Sequence, residues 1–179
     1  MPPWGPGTHF ACRGPAPFKI VPFLKLFPNL LFLGIILFMK ETLAIAESCT
    51  GGLVSSLITN VSGSSKYFKG GIVAYSNDIK VSMLGVSKKT IKKHGAVSRQ
   101  AAQEMAKGIR EVLASDVGAA ITGIAGPKGG TKEKPVGLAY MAVATSRKVK
   151  TKKVLFKGTR LEIKEKFAVA LLKLIEENA

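Results

Sequence analysis

Residues that bind metals or form disulfides are scarce in this sequence. Its 179 residues include two cysteines, Cys12 and Cys49, and two histidines, His9 and His94. Two cysteines give no disulfide framework, and no group of His, Cys and acidic residues has the spacing of a metal site. We therefore expect chemistry that uses neither a metal ion nor a cofactor.

Acidic residues are also few. The chain carries 11 Asp and Glu against 27 Lys and Arg, a formal net charge of +16, and residues 1–40 hold four Lys or Arg and no acid. The excess is spread over the whole chain and suits anionic ligands such as phosphates, nucleotides or nucleic acid. Two lysine groups form apparent patches, although each also fits a solvated face of a helix or an edge strand, and neither is interleaved with the aromatics that stack single strands. They are Lys88, Lys89, Lys92 and Lys93, and Lys148, Lys150, Lys152 and Lys153.

An unbroken hydrophobic run of membrane-spanning length is missing too. The cleanest run, Leu30–Met39, has ten residues, short of the roughly 20 that cross a bilayer. Four interpretations of the apolar, proline-broken start stay open: a surplus extension with Met39 as the true start, a single anchor, an apolar helix packed on the domain, or a signal peptide. Cleavage near Ala44–Ala46 would delete the first predicted strand. We expect an atypical extension over residues 1–40, one domain over 41–179, and a cytoplasmic protein.

Strand and helix patterns alternate from Glu41 onward, which predicts an α/β fold, and the 46% hydrophobic content suffices for one core. A glycine-rich surface loop is expected over 123–135, near any bound ligand. The predicted strands are Thr42–Ala46, Gly70–Tyr75 and Val117–Thr122, with a hairpin of Val136–Ala144 and Val149–Phe156. The predicted helices are Leu53–Ile58, one capped by Asn77 or Asp78 and reaching Met83, one capped by Ser87 and reaching His94, Ser98–Leu113, and Leu161–Glu176.

The stretch Ala46-Glu47-Ser48-Cys49-Thr50-Gly51-Gly52 joins the first predicted strand to the first predicted helix. A serine at such a switch can present its hydroxyl at the carboxyl end of the strand. The helix that follows offers free backbone N–H groups to a developing anion, and the paired glycines let the main chain approach a ligand. The alternative is a plain turn with a capping Ser or Thr.

A serine nucleophile needs a base within hydrogen-bond reach. His94 ends a lysine-rich helix before Gly95, where an ordinary helix end is the alternative. Lys80 follows the second predicted strand, near the phenol of Tyr75, and parallel neighbouring strands would bring it to the same rim as Ser48. It would serve as base if burial lowered its pKa, and is otherwise a surface lysine. Cys49 stays open as a nucleophile or a packed core residue.

Two further segments fit anion binding. The loop Thr122-Gly123-Ile124-Ala125-Gly126-Pro127 could offer N–H groups to an oxyanion or a phosphate, although a glycine-rich turn alone is a weak signal. Arg160 precedes the last predicted helix and could hold a phosphate together with that helix terminus, or could be a solvated arginine.

Eight motifs follow one another in order over residues 42–175. They are the Ala46–Gly52 stretch, Gly63-Ser64-Ser65-Lys66-Tyr67-Phe68, Tyr75-Ser76-Asn77 with Lys80, Leu84-Gly85-Val86, His94-Gly95-Ala96-Val97-Ser98, Thr122–Pro127, Lys134-Pro135-Val136-Gly137 and Gly158-Thr159-Arg160. Together they resemble the CinA carboxyl-terminal domain, the nicotinamide-nucleotide amidohydrolases. One difference is the apolar, proline-broken segment at 18–38, where the family usually has a polar amphipathic helix.

The resemblance implies a three-layer α/β/α sandwich with a mixed sheet, which hydrolyses the carboxamide of nicotinamide mononucleotide to nicotinate mononucleotide and ammonia. It implies Ser48 as nucleophile, Lys80 as base and Tyr75 as an assistant, with the nucleotide phosphate on Arg160. The other substrate contacts would be Thr50, Gly51, Gly52, Gly123, Ala125 and Gly126. We also expect a homodimer without nucleic-acid or membrane partners. The alternatives are a competence- or DNA-associated binding protein, and a relative that has lost turnover.

Overall fold

The computed structural model describes residues 40–178. The predicted extension over 1–40 lies outside these residues except for Lys40, so its four interpretations stay predictions. The described chain forms, in order, β1 (Leu43–Glu47), α1 (Leu53–Thr59), a 3-10 turn (Ser64–Lys66), β2 (Phe68–Val73), α2 (Asn77–Leu84), α3 (Lys88–His94), α4 (Arg99–Val112), β3 (Val117–Gly123), β4 (Leu138–Ala144), β5 (Val149–Leu155) and α5 (Arg160–Glu176).

The described strands form one sheet of five, in the order β2-β1-β3-β4-β5. Strand β1 pairs in parallel with both β2 and β3, whereas β3–β4 and β4–β5 are antiparallel. The predicted mixed sheet is thus confirmed, as is the antiparallel hairpin. Because β1, β2 and β3 run in the same direction, their carboxyl ends meet along one rim, where open α/β sheets bind ligands.

Helices cover both faces of the sheet, which confirms the predicted α/β/α sandwich. Helix α4 packs on β1, β3 and β4 together with α2 and α3, and α5 packs on β3, β4 and α1. All five residues of β1 are buried, as expected for a central parallel strand that is covered on both sides. Alternate residues of the strands form the core under α4, including Ala44, Ala46, Ala120, Ala142 and Ala144.

Small side chains on the strands let α4 lie close to the sheet, and one glycine lets it lie close to α2. A Cβ added to Gly108 would overlap the carbonyl oxygen of Leu84, the last residue of α2. Main chain therefore contacts main chain where α4 crosses the end of α2. This contact fixes the helix that carries Lys80.

Most helix starts agree with the capping pattern of the sequence. Ser87 and Ser98 accept hydrogen bonds from Lys89 N and Ala101 N, as predicted. The prediction of Asn77 or Asp78 as the cap of α2 was wrong, because Ser76 Oγ accepts from Ile79 N at 3.2 Å and both predicted caps lie inside the helix.

The second strand lies two residues earlier than predicted, since it spans Phe68–Val73 instead of Gly70–Tyr75. The chain turns away there because Ala74 O accepts a hydrogen bond from a lysine side chain and Ser76 caps the next helix. No helix within residues 40–178 is long and apolar enough to cross a membrane.

Candidate active site

Ser48 and Lys80 contact each other at the carboxyl rim of the sheet. Ser48 follows the last residue of β1, and its N–H donates to Ile121 O on β3. Lys80 lies in the first half of α2, and its Nζ donates to Ser48 Oγ at 3.0 Å. The two residues are 32 positions apart in sequence. The parallel pairing of β1 with β2 brings them together.

Lys80 is a buried lysine. Only 2% of its surface is exposed, and its Nζ also donates to Ala74 O at 2.7 Å. Burial lowers the pKa of Lys80 from its ordinary 10.5, because a charged ammonium loses its hydration, while the electrostatic interaction with the Cys49 thiol group acts in the opposite direction. A lowered pKa increases the fraction of neutral amine, the form that can accept a proton from a serine hydroxyl.

The start of α1 differs from the expectation of free N–H groups. The carboxylate of Glu47, fully buried, accepts from Gly52 N at 3.0 Å, Val54 N at 3.1 Å and Ser55 N at 2.8 Å. Ser55 Oγ donates to the same carboxylate at 2.7 Å. The N-terminus of this helix is therefore already bound by an anion that belongs to the protein.

Cys49 lines the cleft next to Ser48, but it has the character of a core residue. It is 6% exposed, and burial raises the pKa of its thiol to about 12, against smaller effects of its own backbone N–H and of Lys80. A thiol with this pKa stays protonated near neutral pH, and only the thiolate is a good nucleophile. Of the two neighbouring side chains, the hydroxyl of Ser48 is therefore the better candidate nucleophile.

A cleft of about 260 Å³ opens above the serine–lysine pair. This volume lies just below the range for small-molecule sites, roughly 300–1,000 Å³. The predicted site residues that line it are Ser48, Tyr75, Lys80, Gly123, Ala125, Gly126 and Arg160. The glycine-rich loop is exposed from Pro127 to Glu133, as predicted, but Ala125 and Gly126 are buried and form the wall of the cleft.

Arg160 joins two walls of the cleft. As the first residue of α5, it donates from one guanidinium nitrogen to Gly126 O and from another to Tyr75 Oη at 3.1 Å. Tyr75 is 64% exposed, and within the described residues its hydroxyl makes no hydrogen bond to Ser48 or Lys80. Tyr75 thus lies at the mouth of the cleft, and Arg160 connects it to the glycine-rich loop.

Three predicted contact residues do not line the cleft. Thr50 is fully buried, and its hydroxyl has no hydrogen-bond partner in the described part of the chain. Gly51 N donates to Ser48 O and Gly52 N to Glu47, so these amides are already engaged. The main-chain N–H groups of Cys49 and Thr50 donate to no other residue in the range 40–178. These two amides are the donors left beside Ser48.

His94 is not part of the cleft. Its carbonyl oxygen accepts a hydrogen bond from Lys134 Nζ, which ties the glycine-rich loop to the end of α3. The open alternative of a histidine base is therefore not supported. In the described range no group of three or more His, Cys, Asp or Glu side chains could hold a metal ion.

Sequence reasoning missed four residues at or near the site. Asn77 and Lys128 line the cleft, and Lys164 Nζ lies 3.7 Å from the position that a Cβ on Gly51 would take. Their positions follow from packing between distant segments, which spacing does not reveal. The fourth, Glu47, carried a usable signal, because an acidic residue in an otherwise apolar strand and next to a helix start suggests a buried capping carboxylate.

Comparison with known proteins relates this geometry to a family. The model of the CinA C-terminal domain matches residues 33–179. A putative competence-damage inducible protein of Halothermothrix orenii is 58% identical over 120 residues, 66% of this chain and 29% of that protein. A CinA-like protein of Kosmotoga olearia is 53% identical over 131 residues, 73% of this chain and 32% of that protein. The chain thus spans about a third of the length of these curated relatives.

Solved structures show the same fold. The competence/damage-inducible protein of Agrobacterium tumefaciens superposes with a TM-score of 0.77 at 37% identity, over 81% of this chain and 89% of that one. The competence damage-inducible protein A of Klebsiella pneumoniae gives a TM-score of 0.79 at 28% identity, over 83% and 94%. With the family model covering every described residue, this chain belongs to the CinA C-terminal domain family.

Proposed function

We propose that this protein is a serine amidohydrolase that converts nicotinamide mononucleotide to nicotinate mononucleotide and ammonia. One observation carries the proposal: the Nζ of a buried lysine lies 3.0 Å from the hydroxyl of Ser48, at the rim where open α/β sheets bind ligands. A serine paired with a proton acceptor is the arrangement that acyl transfer needs. The substrate follows from the family resemblance, together with the cationic surroundings.

In the first step, neutral Lys80 takes the proton of Ser48 Oγ, and the oxygen attacks the carboxamide carbon. Lys80 Nζ donates to Ala74 O at 2.7 Å, and in the neutral amine the lone pair would take the place of the N–H that otherwise donates to Ser48 Oγ. The carbonyl oxygen gains negative charge and needs N–H donors. The amides of Cys49 and Thr50 are the candidates, since those of Gly51 and Gly52 are engaged.

In the second step, the carbon–nitrogen bond breaks and Lys80 returns its proton to the leaving amine, which departs as ammonia. An ester between Ser48 and the pyridine carbonyl remains. Water then attacks this ester while Lys80 again accepts a proton. The bond between the carbonyl carbon and Ser48 Oγ breaks, Lys80 gives the proton to Ser48 Oγ, and the product leaves as a carboxylic acid that ionises to the carboxylate. Every proton that Lys80 accepts is therefore returned within one turnover.

The substrate phosphate would bind at the mouth of the cleft near Arg160, where the guanidinium and Lys128 supply positive charge. To contact a phosphate fully, Arg160 must exchange its bond to Tyr75 Oη for one to the ligand. A phosphorylated substrate does not cross membranes unaided, which fits the expected cytoplasmic location.

The test is ammonia release from nicotinamide mononucleotide by the purified protein and three variants. We expect Ser48→Ala to abolish turnover while it still binds the nucleotide, and Lys80→Met to lose turnover because the proton acceptor is gone. The matched control is Ser56→Ala, since Ser56 is exposed on α1 and makes no side-chain hydrogen bond with the described residues. Full turnover by Ser48→Ala would contradict the proposal.

A DNA-associated binding protein without turnover is the competing function, and the charge of +16 is the observation behind it. It predicts association with DNA whose affinity falls steeply with salt and does not change in Ser48→Ala. Such binding by a wild-type protein that releases no ammonia would favour this alternative.

A further inference from the structure

Glu47 precedes the proposed nucleophile and is fully buried as the last residue of β1. Its carboxylate accepts four hydrogen bonds at 2.7–3.1 Å, from Gly52 N, Val54 N, Ser55 N and Ser55 Oγ. No Lys or Arg side chain hydrogen-bonds to it within the described residues. The compensation for burying this charge thus comes from main-chain N–H groups and one hydroxyl.

These bonds decide which donors are left for the reaction. The first N–H groups of a helix normally attract anions, including the oxyanion of an acyl-transfer reaction. Here Gly52 N and Val54 N are occupied by Glu47, and Gly51 N donates to Ser48 O. Among residues 48–52, only the amides of Cys49 and Thr50 donate to no other described residue. An incoming anion therefore cannot use the amides of Gly52, Val54 and Ser55, which Glu47 already engages.

The carboxylate also fixes the shape of the turn. It connects the end of β1 to residues five, seven and eight positions later, so the intervening segment closes as a loop. Gly51 and Gly52 have φ values of +64° and +94°, a left-handed backbone that allows this sharp closure. Ser48 lies inside the loop, where its Oγ accepts the hydrogen bond from Lys80 Nζ.

We propose that Glu47 is a positioning residue, which occupies the N-terminus of α1 and holds the turn so that the amide of Cys49, a residue that lines the cleft, stays available to the reacting carbonyl. It touches neither substrate nor reacting atoms and acts through the turn that carries Ser48. The inference rests on the proposed function only in naming the reaction, because the reactivity of Ser48 can be measured without the substrate.

Glu104 is a matched control within the same chain. Its carboxylate also binds a helix start across a gap in sequence, accepting from Ser87 N at 2.8 Å and Thr90 Oγ1 at 2.6 Å at the beginning of α3. It does not line the cleft. Loss of either carboxylate should lower stability through the loss of a helix cap. Only loss of Glu47 should change the chemistry at Ser48.

The experiment compares Glu47→Gln with Glu104→Gln in two assays. The first is the rate at which phenylmethylsulfonyl fluoride labels Ser48, followed by mass spectrometry. The second is steady-state ammonia release. Removal of one oxyanion donor costs about 10²–10³-fold in kcat in known enzymes. We expect Glu47→Gln to lower labelling and kcat at least about tenfold with KM changed less than about threefold, and Glu104→Gln to leave both unchanged.

The outcomes separate the two proposals. Wild-type labelling without ammonia release would overturn the proposed substrate, while the labelling comparison would still decide the role of Glu47. Equal labelling rates for Glu47→Gln and wild type, at a temperature where both are folded, would overturn the positioning role. If Glu47→Gln does not fold, Ser55→Ala removes one of the four bonds, and slower labelling supports the role, whereas unchanged labelling overturns it.

Discussion

At the scale of single residues, the site consists of buried polar groups whose partners come from distant segments. The order of residues indicated Ser48 as a nucleophile and Lys80 as a base candidate, because each follows a predicted parallel strand. The sequence could not predict the degree of burial of Lys80 or its bond to Ala74 O, which depend on α4 covering α2. Nor could it predict that Arg160 bonds to Gly126 and Tyr75.

The pH dependence of activity tests the state of Lys80. Because burial lowers its pKa from the ordinary 10.5, kcat/KM should rise with pH through the lowered value and reach a plateau before the range of a free lysine. A pH profile of initial rates measures this. Lys80→Arg keeps a cation that stays protonated, so it should lack both the rising limb and the turnover. A rise of kcat/KM centred at the ordinary lysine pKa of 10.5 would contradict the assignment of Lys80 as the base.

The lowered pKa of Lys80 should also change how the free energy of unfolding depends on pH. A lowered pKa in the folded state means that the unfolded chain binds more protons between that value and 10.5. In this window the free energy of unfolding of the wild type should therefore rise with pH, relative to that of Lys80→Met. Urea unfolding of both proteins at several pH values gives the difference, and parallel pH curves would contradict the burial effect.

At the scale of elements, local signals were predictable and tertiary ones were not. Ser87 and Ser98 act as predicted caps because a serine oxygen needs only the next turn of its own helix. The end of β2 and the cap of α2 were predicted wrongly, because Ala74 O accepts a hydrogen bond from Lys80 Nζ and Ser76 Oγ accepts one from Ile79 N. Both bonds depend on how the chain folds around Lys80. The glycine-rich loop was placed correctly by composition, but its buried wall residues were not distinguishable from its exposed tip.

Strands β1 and β3 are linked at the rim opposite the site. Asp116 Oδ2 accepts from Thr42 Oγ1 at 2.7 Å and from Thr42 N at 2.8 Å, and these two bonds lower the pKa of the carboxyl group. A lowered carboxyl pKa gives stability above the ordinary value that is lost as the pH falls through the folded-state value. We expect Asp116→Asn to lower Tm at neutral pH with kcat unchanged.

The Asp116 prediction is measured by thermal unfolding of both proteins from neutral to acidic pH, with ammonia release at one pH. The gap in Tm should narrow as the wild-type carboxyl group becomes protonated. A constant gap at all pH values would show that the ionised form has no special role. A loss of ammonia release in Asp116→Asn would show that this end of the sheet affects the cleft at the opposite end, contrary to the expectation that the length of the strands separates them.

At the scale of the whole molecule, the positive charge is not confined to the residues that line the cleft. The exposed lysines of α3 have no acidic partner on their own helix, and Lys134 Nζ bonds the end of that helix to the loop beside the cleft. Composition alone predicted this charge excess, but not its proximity to the cleft. The expected homodimer stays a prediction, which light scattering can check.

A long-range field of one sign should raise the encounter rate with an anionic substrate. We expect kcat/KM for nicotinamide mononucleotide to fall as ionic strength rises from about 0.01 M to 0.15 M, since the screening length shortens from about 30 Å to 8 Å. Nicotinamide riboside, which lacks the phosphate, is the control and should show no such fall. Equal salt dependence for both compounds would contradict steering by the phosphate.

The contact of Gly108 with Leu84 makes the reactive distance depend on a residue that touches no reacting group. Any side chain at position 108 would push α2 off α4 and carry Lys80 away from Ser48. A homologue could thus keep the counterparts of Ser48 and Lys80 and still hold them too far apart, because of one methyl group between α4 and α2. Assignments of activity to other chains of this fold should therefore inspect position 108 together with the proposed nucleophile and base.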